Sequence, residues 1–463
     1  MAEPADDGRL ALNGVDSATG GYLTPEVDLA GLAASVRGGP PGASRALTRR
    51  RRADEDHLGV AFGFDPDDLS SVGWGLVVPD GLDPAVLEAL EPLVALRRAE
   101  AGDRFRRLDL RPGETADELL ARYGMPGPSV VDPRTVPYYL LVVGTPAQVP
   151  FDVQYALGVS YAVGRLDLPD PAAVAAYCAH VVAAEHRAWA RPGTVHVFAT
   201  RHASDVPTTL SATRLAQPVA DDLVDVGVTV GTDIGATASR SRLMELLTAD
   251  AAPDVLFTAS HGLGGARPAA RLTNGALVCQ DWPGPLAADG PPSGDQYVDA
   301  ESLTTPTRVG VVVAFGCSSA ATPAPVDDPG APSPPGTPFT AALPQRLLPA
   351  GTLAFVGHVG RTWSCSFLWT GMAGQVTPFT STLHAAAGGV RIGQAMEALT
   401  SRYAQVATQL TDRLDAQQRR GLVVPDDELV GLWTALRDAR SSVLLGDPAV
   451  RATPRAPTQQ SRP

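Results

Sequence analysis

The sequence predicts an α/β protein whose mostly parallel sheets are flanked by helices on both faces. Two observations lead to this fold class. Short runs rich in Val and Leu alternate with amphipathic stretches of helical periodicity along the chain. The runs are also continuously apolar, where the strands of a sheet with one solvated face would alternate polar and apolar residues. Strands of this kind are buried on both sides, as in parallel sheets covered by helices.

The length of 463 residues exceeds that of one ordinary domain, so we expect two successive subdomains. Residues 1–58 are rich in Gly, Ala, Asp and Arg and predict a partly flexible arm. An N-terminal α/β subdomain follows over 59–190, and a second, larger one over 191–451. Residues 452–463 form a flexible tail.

The first subdomain begins with a β-rich run and continues with a long amphipathic stretch. The predicted strands are "WGLVVP" (74–79) and "YYLLVVG" (138–144), with the helix "DPAVLEALEPLVALRRAEAG" (83–102) between them. A second helix is predicted over "AAVAAYCAHVVAAEHRAWA" (172–190). It places Cys178 and His180 on different faces, because residues two positions apart diverge around a helix.

The second subdomain repeats this pattern of strands and helices. The strands are predicted at 194–200, 227–230, 254–260, 309–315 and 352–359, with helices at 212–227, 240–249, 339–351 and from 392 onward. One segment breaks the order. Residues 323–339 carry seven prolines without periodicity, which predicts an irregular loop.

Charge and composition limit the classes of function. The net charge of −13 argues against a nucleic-acid partner, which a basic face would normally bind. All 37 basic residues are Arg, which is typical of GC-rich coding and favours a bacterial source. The four cysteines are too few and too scattered for a disulfide framework or a zinc site. With no apolar leader and no apolar stretch of about 20 residues, we expect a cytoplasmic protein without a membrane span.

Two of the predicted strands end in the same way, on a glycine and one reactive side chain. "VLFTAS" runs into His261-Gly262, and "VVVAFG" runs into Cys317. If the two strands are parallel neighbours, both side chains emerge at the same edge of the sheet, where open α/β sheets bind their ligands. The sequence therefore predicts a Cys-His pair.

This pair has the chemistry of nucleophilic catalysis. A nearby imidazole favours the thiolate and can later protonate a leaving amine. The backbone amides of Gly262 and Cys317 would form an oxyanion hole, and no metal or cofactor is required. Each residue alone has a structural alternative, since a buried Cys is often a small core residue and a lone His a hydrogen-bonded structural one.

The motifs "TASHG" and "AFGCSSA" resemble those of caspase-like cysteine endopeptidases of the gingipain type. In that family the catalytic His follows a hydrophobic strand as His-Gly, and the Cys ends a later strand. The segment "YYLLVVGTPAQVPFDVQYALGVSYAVGRLDLPD" (138–170) and "VLLGDPAVR" (443–451) are similar as well. The resemblance covers about residues 70–451, and it implies a caspase-hemoglobinase-like fold with 191–451 as the catalytic subdomain.

The resemblance implies a cysteine endopeptidase that hydrolyses protein or peptide substrates through His261, Cys317 and a covalent thioester. The arm, the proline loop and the lack of a secretion signal depart from secreted gingipains and indicate an intracellular relative. Two alternatives stay open. The chain could be a catalytically inactive regulatory or scaffolding module, or a thiol hydrolase acting on a bond other than a peptide.

Four further residues are candidates for substrate binding. In "GHVGRTWSCSF" (357–367), which matches a groove-lining segment of the family, Trp363 would floor the first specificity pocket and Arg361 would meet an acidic side chain. Core burial of Trp363 and a surface position for Arg361 are the competing interpretations. His358 is a groove or structural residue. Asp205 in "TRHASD" is a candidate for a substrate contact or for the acidic residue that orients His261, or it is an ordinary loop residue.

The resemblance also raises the possibility of self-processing. Several caspase-like enzymes are cut after the catalytic Cys, and Asp327 or Asp328 in the proline loop would be such a site. A passive surface insertion is the simpler interpretation of the same loop.

Overall fold

The computed structural model describes residues 9–10, 14–23, 27–37, 59–125, 130–188, 191–264, 271–322, 337–362, 367–368 and 375–454. A ten-stranded sheet forms its centre. In chain order the strands are β1 Trp74–Pro79, β2 Phe105–Leu110, β3 Tyr139–Val143, β4 Ala162–Leu166, β5 Thr194–Ala199, β6 Thr229–Ile234, β7 Val255–Ala259, β8 Val311–Phe315, β9 Ala354–His358 and β10 Ser442–Gly446.

The sheet consists of two parallel blocks. Its strand order is β2-β1-β3-β4-β10-β9-β8-β7-β5-β6, and neighbouring strands are parallel except at β9-β10, which are antiparallel. The predicted α/β class with a mostly parallel sheet is confirmed. The sheet is continuous through both predicted subdomains, because the C-terminal β10 pairs with β4 of the first and β9 of the second.

Helices flank the sheet. They are α1 Leu29–Arg37, α2 Leu69–Val72, α3 Pro84–Ala101, α4 Ala116–Arg122, α5 Phe151–Leu157, α6 Pro171–Glu185, α7 Val206–Leu210, α8 Gln217–Asp225, α9 Arg240–Thr248, α10 Ala342–Ala350, α11 Thr377–Ala387, α12 Ile392–Ala395, α13 Glu397–Arg420 and α14 Asp426–Ser441. A π-helical turn, Ser211–Ala216, joins α7 to α8, and 3-10 turns lie at Gly102–Arg104 and Gly235–Thr237.

Short two-residue strands supplement the sheet outside its centre. They pair Arg9–Leu10 with Val27–Asp28, Val15–Asp16 with Leu263–Gly264, Leu277–Val278 with Tyr297–Val298, and Ala321–Thr322 with Phe339–Thr340. Among the described residues no helix is both long and apolar enough to cross a membrane.

Local sequence signals explain where the helices begin. Asp83 and Asp170 cap α3 and α6, each accepting a hydrogen bond from a backbone amide of the first turn and each followed by Pro at the first helical position. Thr115 and Glu118 form a capping box at the start of α4. Within α6, Cys178 is buried in the core while the His180 ring contacts the Pro349 carbonyl, as their different faces predict.

The core lies between the sheet and its helices. Strands β1, β3, β4, β7, β8 and β9 are buried along their whole length. Burial of continuous apolar runs such as "VVVAF" supplies most of the favourable free energy of folding. Because these strands are buried along their length, a binding site on them has to form at the strand ends.

The described parts of the N-terminal arm lie against the body of the protein. Helix α1 packs its buried face against α14, with Leu32 and Val36 in one apolar cluster with Trp433. Residues 14–23 lie on the edge of the sheet that carries His261. Each of these two segments of residues 1–58 buries apolar side chains.

Candidate functional site

The predicted Cys-His pair lies at one edge of the sheet. Strands β7 and β8 are parallel neighbours, with Ala259 paired to Phe315 at their ends. The chain therefore leaves both strands at the same edge, and His261 and Cys317 follow immediately. The expectation that the two strands are adjacent and parallel is confirmed. Strand β9 ends at this edge too, since it is parallel to β8.

Gly262 packs directly against the backbone of Cys317. A Cβ atom at position 262 would lie 1.9 Å from the Cys317 carbonyl oxygen and 3.0 Å from the Cys317 nitrogen. The residues on either side of Gly262 form an antiparallel hydrogen-bond ladder with residues 276–278. In this ladder the Leu263 amide donates to the Ala276 carbonyl, and the Val278 amide donates to the His261 carbonyl. This pattern leaves the Gly262 N–H out of the ladder. Only glycine allows this approach, because any side chain would collide with backbone.

Asp205 holds the His261 ring. Its Oδ2 is 2.9 Å from His261 Nε2, and both side chains are fully buried. Asp205 is also the N-cap of α7, where it accepts a hydrogen bond from the Thr208 amide at 3.2 Å. Burial alone would raise the pKa of Asp205, but His261 and the surrounding donors hold that pKa well below its usual range. Of the interpretations open for Asp205, the geometry favours the one in which it orients His261.

The other ring nitrogen of His261 is engaged as well. The Gly14 amide donates to His261 Nδ1 at 3.2 Å. An amide can only donate, so Nδ1 accepts and the ring proton lies on Nε2, directed at the Asp205 carboxylate. One neutral tautomer satisfies both contacts.

A second histidine, His202, lies beside the first. Its ring is stacked on that of His261, with centroids 6.1 Å apart and planes 5° apart, and it meets Trp282 edge to face. Burial, followed by repulsion from a charged His261, lowers the pKa of His202 to about 4. His202 is therefore neutral at physiological pH.

Cys317 is fully buried and is contacted by Thr362. The Thr362 amide donates to Cys317 Sγ at 3.2 Å, and the Thr362 hydroxyl lies 3.4 Å from the sulfur. Burial raises the pKa of the Cys317 thiol to about 11, although these two hydrogen bonds favour the thiolate. In this conformation the sulfur is a protonated thiol.

The remaining predicted residues lie in different surroundings. His358 is buried at the end of β9, with Nδ1 3.2 Å from the Ala314 carbonyl and Nε2 3.3 Å from the Ser442 hydroxyl and 3.4 Å from Asp438. These contacts favour the structural interpretation of His358. Arg361 is partly buried, and its charge lowers the pKa of the Cys317 thiol. Trp363 lies outside the described residues, and so do Asp327 and Asp328.

Several residues of the site carry no recognisable signal in the sequence. Gly14 and Tyr22 lie in the arm, and Tyr22 donates a hydrogen bond from its hydroxyl to Asp205. Nothing in the local sequence connects Gly14 to His261, 247 positions away, or Tyr22 to Asp205, 183 positions away. Thr362 and His202 each adjoin a predicted candidate, but nothing in their own sequence context predicts that they contact the pair.

Comparisons with known proteins identify similar folds and no close relative. No family model matches the chain, and no curated protein matches it. Among solved structures, the Porphyromonas gingivalis RgpB pro- and mature domains are 10% identical, cover 82% of this chain and 80% of their own, and give a TM-score of 0.47. The Arg-specific cysteine proteinase gingipain R is 10% identical, covers 82% of this chain and 77% of its own, and gives a TM-score of 0.46.

The Saccharomyces cerevisiae separase–securin complex is 9% identical, covers 67% of this chain and 15% of its own, and gives a TM-score of 0.31. Gingipain, whose type the motifs of this sequence resemble, is thus among the structural neighbours.

Proposed function

We propose that this protein is a cysteine endopeptidase in which Cys317 is the nucleophile and His261 the proton donor and acceptor. The observation that supports this most strongly is the convergence of Cys317, His261 and Asp205 at one sheet edge. They come from three segments distant in the chain, and Asp205 is 2.9 Å from His261. A nucleophile, a base and a residue that orients the base are the parts that acyl transfer requires.

The proposed reaction begins when the Cys317 thiol gives its proton to His261 Nδ1, the ring nitrogen that faces away from Asp205. The sulfur then attacks the carbonyl carbon of the substrate peptide bond. When that bond breaks, His261 returns the proton to the departing amine. Water hydrolyses the thioester that remains, which releases the carboxylic acid and restores the thiol.

Asp205 keeps the His261 proton on Nε2 and stabilises the imidazolium that forms in between. The negative oxygen of the tetrahedral intermediate would accept hydrogen bonds from the Gly262 and Cys317 amides. The contact of Gly262 with the Cys317 backbone supports this assignment, because it brings the two amides together.

The decisive experiment compares wild type with Cys317→Ala. Each protein is incubated with peptides that carry Arg, Lys or Asp before the scissile bond, and with an irreversible thiol-directed peptide probe. We expect cleavage and labelling in wild type and neither in the variant, because the acyl-enzyme needs the sulfur. Cys178 and Cys279 are buried and serve as internal controls for labelling.

Each other outcome has a defined meaning. Identical behaviour of wild type and Cys317→Ala, also when residues 14–23 are displaced from the sheet edge by substitution of Gly14, would contradict the proposal and favour an inactive module. Labelling of Cys317 without peptide cleavage would favour a hydrolase for a different bond.

A further inference from the structure

The N-terminal segment 14–23, here called the strap, lies across the Cys-His pair. It is a hairpin in which Val15 pairs with Tyr22, the Leu23 amide donates to the Gly14 carbonyl at 3.0 Å, and Asp16 and Gly21 are joined at 2.8 Å. Asp16 closes the turn by accepting from the amides of the two residues at its tip. The strap is therefore an ordered structural element.

One side of the strap extends the strand that follows His261. Val15 donates to the Gly262 carbonyl at 3.2 Å, and Ser17 donates to the Gly264 carbonyl at 2.8 Å. Val15 is fully buried in a small apolar cluster with Leu263 and Trp282. This is strand addition to an exposed edge, the same mode by which extended peptides bind to many proteins.

Gly14 is the residue that contacts the pair itself. Its amide is bonded to His261 Nδ1, and a Cβ built on it would lie 3.1 Å from Cys317 Sγ. Gly14 therefore lies where the reacting atoms of a substrate would have to lie, and it occupies the nitrogen that the proposed mechanism uses for proton transfer. His261 and Cys317 are both fully buried in this arrangement.

The Gly14 carbonyl is not placed for attack by Cys317. Attack requires a carbonyl carbon within about 3–3.5 Å of the sulfur, with its oxygen directed at the oxyanion donors. The Gly14 carbonyl oxygen is bonded to the Leu23 amide instead. Gly14 thus meets the pair through its N–H and its Cα and not through its carbonyl.

We propose that the strap is an autoinhibitory element, which closes the site until residues 14–23 leave the edge formed by His261 and Cys317. This inference rests on the proposed function, because it concerns the regulation of the same site. The strap contributes to the full burial of Cys317, since a Cβ on Gly14 would lie 3.1 Å from its sulfur.

Substitution of Gly14 tests the inference. The residue has φ +109°, and an added Cβ would approach Leu23 Cδ1 to 2.7 Å as well as the Cys317 sulfur. Gly14→Val should therefore displace the strap. Leu23→Ala removes the side chain that packs on Gly14 and Gly264, and it places no new atom near Cys317. Gly21→Ala is the matched control, since its Cβ would make only an ordinary contact, at 3.6 Å to Thr19.

The primary measurement is the rate at which iodoacetamide alkylates Cys317, read by mass spectrometry of the full chain. We expect at least a tenfold increase in Gly14→Val and Leu23→Ala, and the wild-type rate in Gly21→Ala, because reactivity follows the fraction of open molecules. Unchanged reactivity of Cys178 and Cys279, which are buried, verifies that a variant is folded.

Two results separate this inference from the proposed function. Equal alkylation of Cys317 in wild type and in folded Gly14→Val and Leu23→Ala would overturn the autoinhibitory role of the strap, whether or not peptides are cleaved. The double variant Gly14→Val with Cys317→Ala serves as the blank for peptide cleavage. If Gly14→Val is alkylated faster than wild type but cleaves no more peptide than this blank, the autoinhibitory role of the strap is supported and the endopeptidase function is rejected.

Discussion

At the scale of single residues, the site is a set of hydrogen bonds that admits one protonation pattern. Asp205 is ionised and accepts from His261 Nε2, while Nδ1 is free of a proton. Three donors besides His261 reach the Asp205 carboxylate, from Tyr22 and from the amide and hydroxyl of Thr208. A buried carboxylate with this many donors is stable as an anion, so the tautomer of His261 is defined before any substrate binds.

Replacing this carboxylate should change turnover more than binding. We expect Asp205→Asn to lower kcat by about 10²–10⁴-fold with little change in KM, because a neutral amide no longer holds the proton of His261 on Nε2. The measurement is steady-state peptide cleavage in the Gly14→Val background.

Asp233→Asn is the matched control, since Asp233 pairs with His196 at 2.8 Å and belongs to the outermost strand β6. A fall in kcat of similar size in Asp233→Asn would contradict the role of Asp205 and indicate a general loss of structure.

His202 makes stability depend on pH. Its pKa is lowered to about 4 in the folded chain, so between the ordinary histidine value of 6.5 and about 4 the unfolded chain binds a proton that the folded chain does not. Stability is therefore lost as pH falls through this window. We expect the free energy of unfolding, measured with urea, to differ less between pH 7 and pH 5 in His202→Phe than in wild type. Equal differences would exclude this role.

At the scale of secondary structure, the close approach of β4 and β10 joins the two blocks of the sheet. A Cβ at Gly164 of β4 would lie 2.2 Å from the Gly446 carbonyl oxygen and 2.9 Å from Pro448 Cδ. The segments "AVGR" and "GDP", which the sequence relates to the gingipain type, thus meet at this junction. Glycine is required here by the packing of one backbone on another.

Adding one methyl group at this junction should destabilise the protein. We expect Gly164→Ala to lower the free energy of unfolding by about 1–3 kcal/mol, because backbone atoms cannot move aside for the new Cβ. Urea unfolding measures the change. Gly294→Ala is the control, since a Cβ there meets no atom within 4 Å. Equal stability of the two variants would contradict the argument.

At the scale of the whole molecule, the antiparallel β9-β10 pair reverses the direction of the sheet. The carboxyl ends of β7, β8 and β9 lie at one edge, and those of β1, β3 and β4 lie at the other. Asp447, just after β10, links this junction to the first block by accepting from Trp74 Nε1 at 2.9 Å and Arg97 Nε at 2.7 Å. The C-terminal strand thus holds together the two halves predicted from the sequence.

The sequence by itself determined the class of fold and the shared sheet edge of His261 and Cys317. Continuous apolar strands predict a parallel sheet, and the ends of two such strands carry His261 and Cys317, because local pattern and strand polarity suffice for both inferences. Only the tertiary structure decided that Asp205 orients His261 and that Gly14 covers it. Asp205 lies in a loop 56 positions before His261, and Gly14 contacts His261 with its backbone amide from 247 positions away. Neither contact has a periodicity that a sequence could reveal.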